Sequence, residues 1–385
     1  MVKLGDVCKQ VRGVSYKPTD VCNSLSENAV TLLRANNIFE NTLNYDDLVF
    51  VDKSKVSSCQ YMKKGDILIC ASSGSKNLVG KAACLLEDKE LTFGAFCKVI
   101  RATSISYEYL KHYFFSPIYR TTISHLSAGA NINNIKSEDL ENLQIPLPSL
   151  EMQKQIAAVL DKCTTIIAKR QQQLSALDNL IKARFVEMFG DESNPKGWEL
   201  KAFEDITDLI TDGEHATPRR TDNGIYLLSA RNVLNHSLQL EDVDYIDEEE
   251  YERISKRIVP QAGDILLSCS GTVGRCCCVP EGLKFQMVRS AAILRFKKVL
   301  NPVFAEYMIS SEYVQKQIDK AKTASSQANL FQGKIAKLKG FVPPIELQDE
   351  FLGFVKQVDK SKVAVQNALD KTQTLFHSLM QQYFG

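Results

Sequence analysis

Between Glu151 and Met188 the apolar positions fall at Ile156, Leu160, Cys163, Ile167, Leu174, Leu177, Ile181 and Met188, and Arg170 and Arg184 fill the two slots that interrupt the run. Steps of four and three alternate, which is the heptad seam of a coiled coil. No Gly or Pro breaks the stretch, and Ala, Leu, Gln, Lys and Arg occupy much of the rest, so propensity agrees with pattern. The pattern predicts a helix of about 33 residues, a rod of roughly 50 Å. One such seam also fits an ordinary long core helix. A second follows at an offset of 195, from Ile156 to Phe351, and continues through Val355, Val358, Lys362, Val365, Leu369, Thr372, Phe376, Leu379 and Tyr383. Both helices close alike, in Met188-Phe189-Gly190 and Tyr383-Phe384-Gly385. Both open after the same signal, Pro148-Ser149-Leu150-Glu151-Met152-Gln153 and Pro343-Pro344-Ile345-Glu346-Leu347-Gln348. Two helices with matching seams are expected to pack on each other.

The offset extends beyond the helices. Leu32-Leu33-Arg34-Ala35-Asn36-Asn37-Ile38 matches Leu227-Leu228-Ser229-Ala230-Arg231-Asn232-Val233, and Phe50-Val51-Asp52 matches Tyr245-Ile246-Asp247. It lengthens to 198 between Gly65-Asp66-Ile67-Leu68 and Gly263-Asp264-Ile265-Leu266, and returns to 195 at Asn134-Ile135 and Asn329-Leu330. The chain is therefore an internal duplication with short insertions and deletions in loops. Apolar runs of strand length follow each Gly-Asp turn, and short helices are expected near Tyr107–Phe115 and Pro302–Ile318. The fold class read from this is α+β: two tandem α+β domains with mostly antiparallel sheets, separated and joined by two long antiparallel coiled-coil helices. Its expected boundaries are 1–149 and 191–345 for the globular parts, and 150–190 and 346–385 for the helices. Close domain termini would return the second helix along the first, placing one globular part at each end of the rod. The whole would be pseudo-twofold, like a homodimer fused into one chain.

At 385 residues, 44% hydrophobic and 24% charged, the chain reads as a soluble protein of more than one domain. No apolar run has the length of a membrane span, and Met1-Val2-Lys3-Leu4-Gly5 is not expected to open a signal peptide. Eleven cysteines without a secretion signal point to reduced thiols in a cytoplasm. No CxxC pair exists, and Cys276-Cys277-Cys278 would alternate faces in a strand, poor geometry for one metal ion. With 47 basic and 46 acidic residues, the net charge of +1 leaves any nucleic-acid contact to local patches or to help from a partner.

No catalytic constellation stands out. Gly74-Ser75-Lys76-Asn77-Leu78-Val79-Gly80-Lys81 imitates a phosphate loop, but carries one residue too many between the glycines and has Ala82 where a hydroxyl should bind Mg²⁺. No G-x-G-x-x-G follows a strand, no Asn-Pro-Pro or Asp-Pro-Pro of amino-methyltransferases is present, and the five histidines are scattered. Glu248-Glu249-Glu250 reads as a solvated face. What remains is polar loops at matching places: Ser72-Ser73-Gly74-Ser75-Lys76-Asn77 in one copy, and Ser270-Gly271-Thr272-Val273-Gly274-Arg275 in the other. Each alone could be an ordinary Gly/Ser turn. Hydroxyls, amides, cations and small residues also suit close approach to phosphates and base edges. Further segments are Ser127–Asn134, Ala324–Asn329 and His215-Ala216-Thr217-Pro218-Arg219-Arg220. A matched framework with divergent loops is what two reading heads of different specificity would need.

These features resemble the specificity (S) subunit of bacterial type I restriction-modification enzymes, over essentially the whole chain. The marks are the tandem Gly-Asp-Ile-Leu segments with their Ser/Gly loops, Asp212-Gly213-Glu214-His215-Ala216-Thr217-Pro218, the two Pro-x-x-Glu-x-Gln helix starts, and Met188-Phe189-Gly190-Asp191 before Asn194-Pro195-Lys196-Gly197-Trp198. The first copy departs from the pattern, with Gly13-Val14-Ser15-Tyr16-Lys17-Pro18 in place of Asp-Gly-x-His-x-x-Pro. The resemblance implies a non-catalytic subunit whose two target-recognition domains each read half of a bipartite, asymmetric target in double-stranded DNA. Two methyltransferase (M) subunits would dock on the helices and bring S-adenosylmethionine, and restriction (R) subunits would use ATP and Mg. No cofactor or metal is expected on this chain. Candidate DNA contacts in the first copy are Lys17, Asn36, Ser73, Lys76, Asn77, Lys81, Asn131 and Asn133. In the second they are His215, Arg219, Arg220, Arg231, Ser270, Thr272, Arg275 and Gln327. The alternative is a coiled-coil scaffold whose end domains bind proteins or glycans. Steep salt dependence of nucleic-acid binding would separate the two.

Overall fold

The structure, a computed structural model, describes residues 1–75, 77–126, 133–190, 196–322 and 328–385. The chain forms two compact units, Met1–Gln171 with Gln366–Gly385, and Gln172–Val365. Each unit thus contains one globular part and half of each long helix.

In the first unit, Ile67–Cys70 is one of the two inner strands of a four-stranded antiparallel sheet, ordered Ala82–Cys84, Ile67–Cys70, Cys97–Ala102, Cys8–Arg12. Its four apolar side chains are buried on both faces. Ile67 and Ile69 enter a core with Ile100, Tyr109 and Leu110, while Leu68 and Cys70 enter another with Leu33, Phe93 and Val99. A strand covered on both sides reads as a continuous apolar run, as this one does. The second sheet is mixed: Leu91–Phe93 runs parallel to Ala29–Leu33, which pairs antiparallel with Val49–Asp52. Pairing is thus mostly antiparallel, as expected, with a parallel strand pair in this sheet.

The second unit repeats the plan. Ile265–Ser268 lies between Cys276–Cys278 and Ala291–Phe296, with Thr207–Asp212 at the far edge. Phe285–Met287 is the parallel neighbour of Ile225–Leu228. Cys276 and Cys277 belong to the cores on opposite faces of their sheet, and burial pushes the Cys276 thiol up to about 12. The short helical stretch expected near Pro302–Ile318 consists of two helices, Pro302–Ser310 and Glu312–Ala321. Ser311 takes an extended backbone there, and its hydroxyl donates to the Met308 carbonyl at 2.6 Å, ending the first helix. Glu250 is not part of a solvated face. It is buried, and its carboxylate accepts from Arg253 at 2.9 and 3.0 Å and from the Arg219 N–H at 3.1 Å.

The long helices span Leu150–Phe189 and Ile345–Phe384, 40 residues each. Every seam position named above is buried or half-buried. In the second unit, Arg184 pairs with Glu350 at 2.8 Å and Asp178 with Lys362 at 2.7 Å. One helix descends in number as the other rises, so they run antiparallel. In the first unit Ile156, Ala157 and Leu160 share a core with Met380 and Phe384. The terminal Phe-Gly pairs have equivalent roles. Phe384 packs 5.0 Å from the Tyr109 ring, and Phe189 packs 4.8 Å from the Phe304 ring. The glutamines of the helix-start signals are equally matched. Gln153 accepts from the Ser106 N–H and donates to the Pro148 carbonyl, both at 2.8 Å. Gln348 accepts from the Asn301 N–H at 2.8 Å and donates to the Pro343 carbonyl at 2.9 Å. Ser106 and Asn301 are the N-caps of the preceding helices, so each buried glutamine fixes a long helix to its own domain.

Candidate nucleic-acid interface

The loops are held by a framework repeated in both units. Asp66 accepts from Arg101 Nε and Nη2 at 2.8 and 2.6 Å and from the Lys63 N–H at 2.7 Å. Asp264 accepts from Arg295 Nε and Nη2 at 2.7 and 2.8 Å and from the Gln261 N–H at 2.8 Å. The aspartates of the two Gly-Asp-Ile-Leu segments are therefore buried clamps, each after a glycine whose φ of +88° or +87° favours glycine.

Strand register also resolves the departure in the first copy. Arg12 stands opposite Lys98 as Asp212 stands opposite Ala292, and Lys98 and Ala292 hold the same place beside Ile69 and Leu267. Gly13 is thus the counterpart of Gly213. A Cβ on Gly13 would lie 2.1 Å from the Gly94 carbonyl oxygen, and one on Gly213 would lie 2.3 Å from that of Met287. Only glycine permits either approach. Ser15 falls where His215 stands, and Pro18 where Pro218 stands. The segment starting at Gly13 is the same element with different side chains.

Beyond these glycines each unit opens a groove. In the first it is about 1050 Å³, walled by Tyr16, Arg34, Asn36, Ser72, Ser73 and Phe96 among others. In the second it is about 510 Å³, walled by His215, Ser270, Arg289, Asn329, Phe331 and Gln332 among others. Ser73 faces its groove from a strand paired with Asn133–Asn134. Ser270 Oγ donates to Asn329 Oδ1 at 2.7 Å across an equivalent bridge. His215 Nε2 lies 3.0 Å from Asp212 at the rim. Beside the first groove, Lys98 donates to the Ile135 carbonyl at 2.9 Å. Burial, and then Arg12, pull its ammonium below the usual lysine range.

The remaining candidates are placed less uniformly. Lys17 and Thr272 are exposed, and Asn36 reaches its groove while donating to Asp47 at 2.8 Å. Asn77 is exposed, and Lys81 is half-buried outside the groove lining. Arg219 pairs with Asp247 and Glu249, and Arg220 and Arg231 both pair with Asp244. These three guanidiniums are held by carboxylates of their own domain. Arg275 is half-buried and donates to the Ala230 carbonyl at 3.0 Å, so it braces its loop from inside. Lys76, Asn131 and Gln327 lie outside the described residues, as does the side chain of Asn133. Sequence reasoning missed Phe96, Arg289 and Phe331, which wall the grooves, and Arg12, which stands beside the first groove at the place of Asp212. Arg12 could have been found by aligning the strands on Gly13 and Gly213.

Comparisons agree with this architecture. The type I restriction modification DNA specificity domain matches residues 1–177 and again 195–372. The specificity subunit of the type I restriction enzyme EcoKI of Escherichia coli K12 is 29% identical over 97% of this chain and 86% of its own length. That of StySPI from Salmonella potsdam is 42% identical over 45% of this chain and 37% of its own. Two solved structures share the fold across 100% of this chain. One, from work on complex assembly and conformational transition of the type I R-M system, gives a TM-score of 0.59 at 17% identity over 96% of its chain. The other, the S subunit from M. genitalium, gives 0.57 at 14% over 95%. With two copies of its domain covering most of the length, the chain belongs to the family of type I restriction-modification DNA specificity subunits.

Proposed function

We propose that this chain is the sequence-specific DNA-binding subunit of a type I restriction-modification complex, in which each unit reads one half of a bipartite, asymmetric target. One observation carries the reading. The same framework occurs twice, while the groove residues standing on it differ: Ser15 against His215, Ala95 against Arg289, and Phe96 against Ser290. Identical heads would read a symmetric target; these offer different hydrogen-bonding patterns to double-stranded DNA. The chain contributes recognition and no chemistry. Two methyltransferase subunits bind along the helices and bring S-adenosylmethionine, and restriction subunits add ATP- and Mg-dependent steps in the cytoplasm. Among the described residues, no helix is long and apolar enough to cross a membrane.

Reconstitution tests this. The methyltransferase subunits alone, this chain alone, and both together are incubated with genomic DNA and labelled S-adenosylmethionine. Transfer at one bipartite sequence only in the mixture is the expected result. Transfer by this chain alone, or unaltered site selection without it, would overturn the assignment.

A further inference from the structure

The two most exposed aromatic rings of the chain both stand in these grooves. Phe96 is 72% exposed and Phe331 is 62% exposed, and each walls the groove of its own unit. They are not the same position of the repeat. Phe96 corresponds to Ser290 in the second copy, and Phe331 corresponds to Lys136 in the first. Each domain has placed a bare phenyl ring in its groove from a different wall. The backbone behind both is fixed. The Phe96 carbonyl accepts from the Ala71 and Ser72 N–H groups at 2.9 and 3.0 Å. Phe331 follows Leu330, whose N–H donates to the Cys269 carbonyl at 2.9 Å, and it opens the short helix Gln332–Ile335.

A phenyl ring cannot hydrogen-bond, so packing it against a ring nitrogen, carbonyl or amino group of a base edge leaves that group desolvated without a partner. The thymine 5-methyl is the one major-groove feature that gains from an apolar neighbour. The surrounding Asn36, Ser72 and Ser73, or Ser270, Asn329 and Gln332, are of the type that reads polar edges beside it. We infer that Phe96 and Phe331 are specificity-determining residues, each packing on the 5-methyl group of a thymine in the half-site read by its own unit. This rests on the DNA-reading function proposed above and adds the base feature read.

The test uses the complex with its methyltransferase subunits and a duplex bearing its target, identified from the methylated bases of the host genome. Each thymine of the target is replaced in turn by deoxyuridine, which lacks only the 5-methyl. With the unaltered chain, one replacement in each half-site should weaken binding about fourfold, the equivalent of about 0.8 kcal/mol for one buried methyl group. In Phe96→Ala, the thymine–uracil difference should vanish in one half-site and persist in the other, and Phe331→Ala should give the converse. Both side chains are exposed, so neither substitution should impair folding, and the persisting difference in the other half-site confirms it. Absence of sequence-specific binding by the unaltered complex would refute the DNA-reading function itself. Specific binding with no deoxyuridine effect, or with a half-site lacking thymine, would overturn this inference alone. So would a Phe96→Ala variant that weakens thymine and uracil duplexes equally, which is the behaviour of an intercalating wedge.

Discussion

Replacing Asp66 or Asp264 by alanine removes a clamp from one domain and leaves its copy intact. Each substitution leaves a guanidinium without its carboxylate, and leaves the Lys63 or Gln261 N–H without its acceptor. Removing one partner of a buried pair costs about 3–5 kcal/mol. The arginine side chains are 20% and 28% exposed, so water screens part of the loss and the lower figure, about 3 kcal/mol, is expected. At a urea m-value of about 2 kcal/mol/M, the midpoint should fall by about 1.5 M. The assay can tell the units apart, because the chain has one tryptophan. Trp198 lies in the second unit, with Nε1 donating to the Phe189 carbonyl at 2.9 Å. Asp264→Ala should therefore move the fluorescence transition. Asp66→Ala should leave it in place while the far-ultraviolet circular dichroism acquires an earlier step. Asp264→Asn, which keeps an acceptor for the Gln261 N–H, should fall between. A midpoint shift under about 0.5 M for Asp264→Ala would mean the pair contributes no more than a surface ion pair. Equal fluorescence shifts for Asp66→Ala and Asp264→Ala would mean that the two units unfold as one.

Three further outcomes are expected. Burial would raise the Asp161 carboxyl, but hydrogen bonds from His112 and Lys111, and then their charges, outweigh it and hold the group below 3.8. Its contribution is therefore complete above the unfolded carboxylate range of about 4 and is lost as pH falls through the depressed folded value; the thermal midpoints of Asp161→Asn and the unaltered chain should differ at pH 6 and converge on acidification, and a gap that widens in acid would reverse the sign. Phe384→Ala should cost about 3–5 kcal/mol by opening a cavity against Tyr109 and Tyr113, and denaturation that leaves the midpoint within about 0.5 M would show that the helix end is not anchored there. Arg275→Ala should relax base preference in one half-site because its loop loses the brace to Ala230, with Thr272→Ala leaving the thermal midpoint unchanged; a fully specific Arg275→Ala complex would show that the loop holds its shape unaided.

The repeat made the framework legible, and it also shows why the site was less so. Seam residues such as Leu369 and Phe351 meet one requirement, burial on one face of a helix, and that requirement has a period. The Gly-Asp-Ile-Leu segments could be matched because both copies need the same turn and the same doubly covered strand. Residues at and beside the grooves face no such shared requirement. Arg12 and Asp212 occupy one place with opposite charge, so a comparison of residue types hides an equivalence that strand register shows at once. The pairing of Arg219, Arg220 and Arg231 with carboxylates was not legible either, because the partners lie between 11 and 30 residues away along the chain, and local pattern carries no signal of it.

Phe96 and Phe331 were hidden for the converse reason. Phe93, three residues before Phe96, is fully buried, and Leu330, directly before Phe331, is 3% exposed. Composition cannot distinguish a ring in the core from one in the groove. The distinction comes from strand ends. Phe93 is the last residue of a strand paired parallel to Ala29–Leu33, and Cys97 opens the next strand, so Phe96 sits in the turn between them and points away from both cores. Turns at these places are held by backbone hydrogen bonds from neighbouring segments, as with Ala71 and Ser72 onto the Phe96 carbonyl. Their side chains can therefore change without disturbing the fold. Such positions are rigid in the main chain, unconstrained in the side chain, and repeated in two copies free to differ separately.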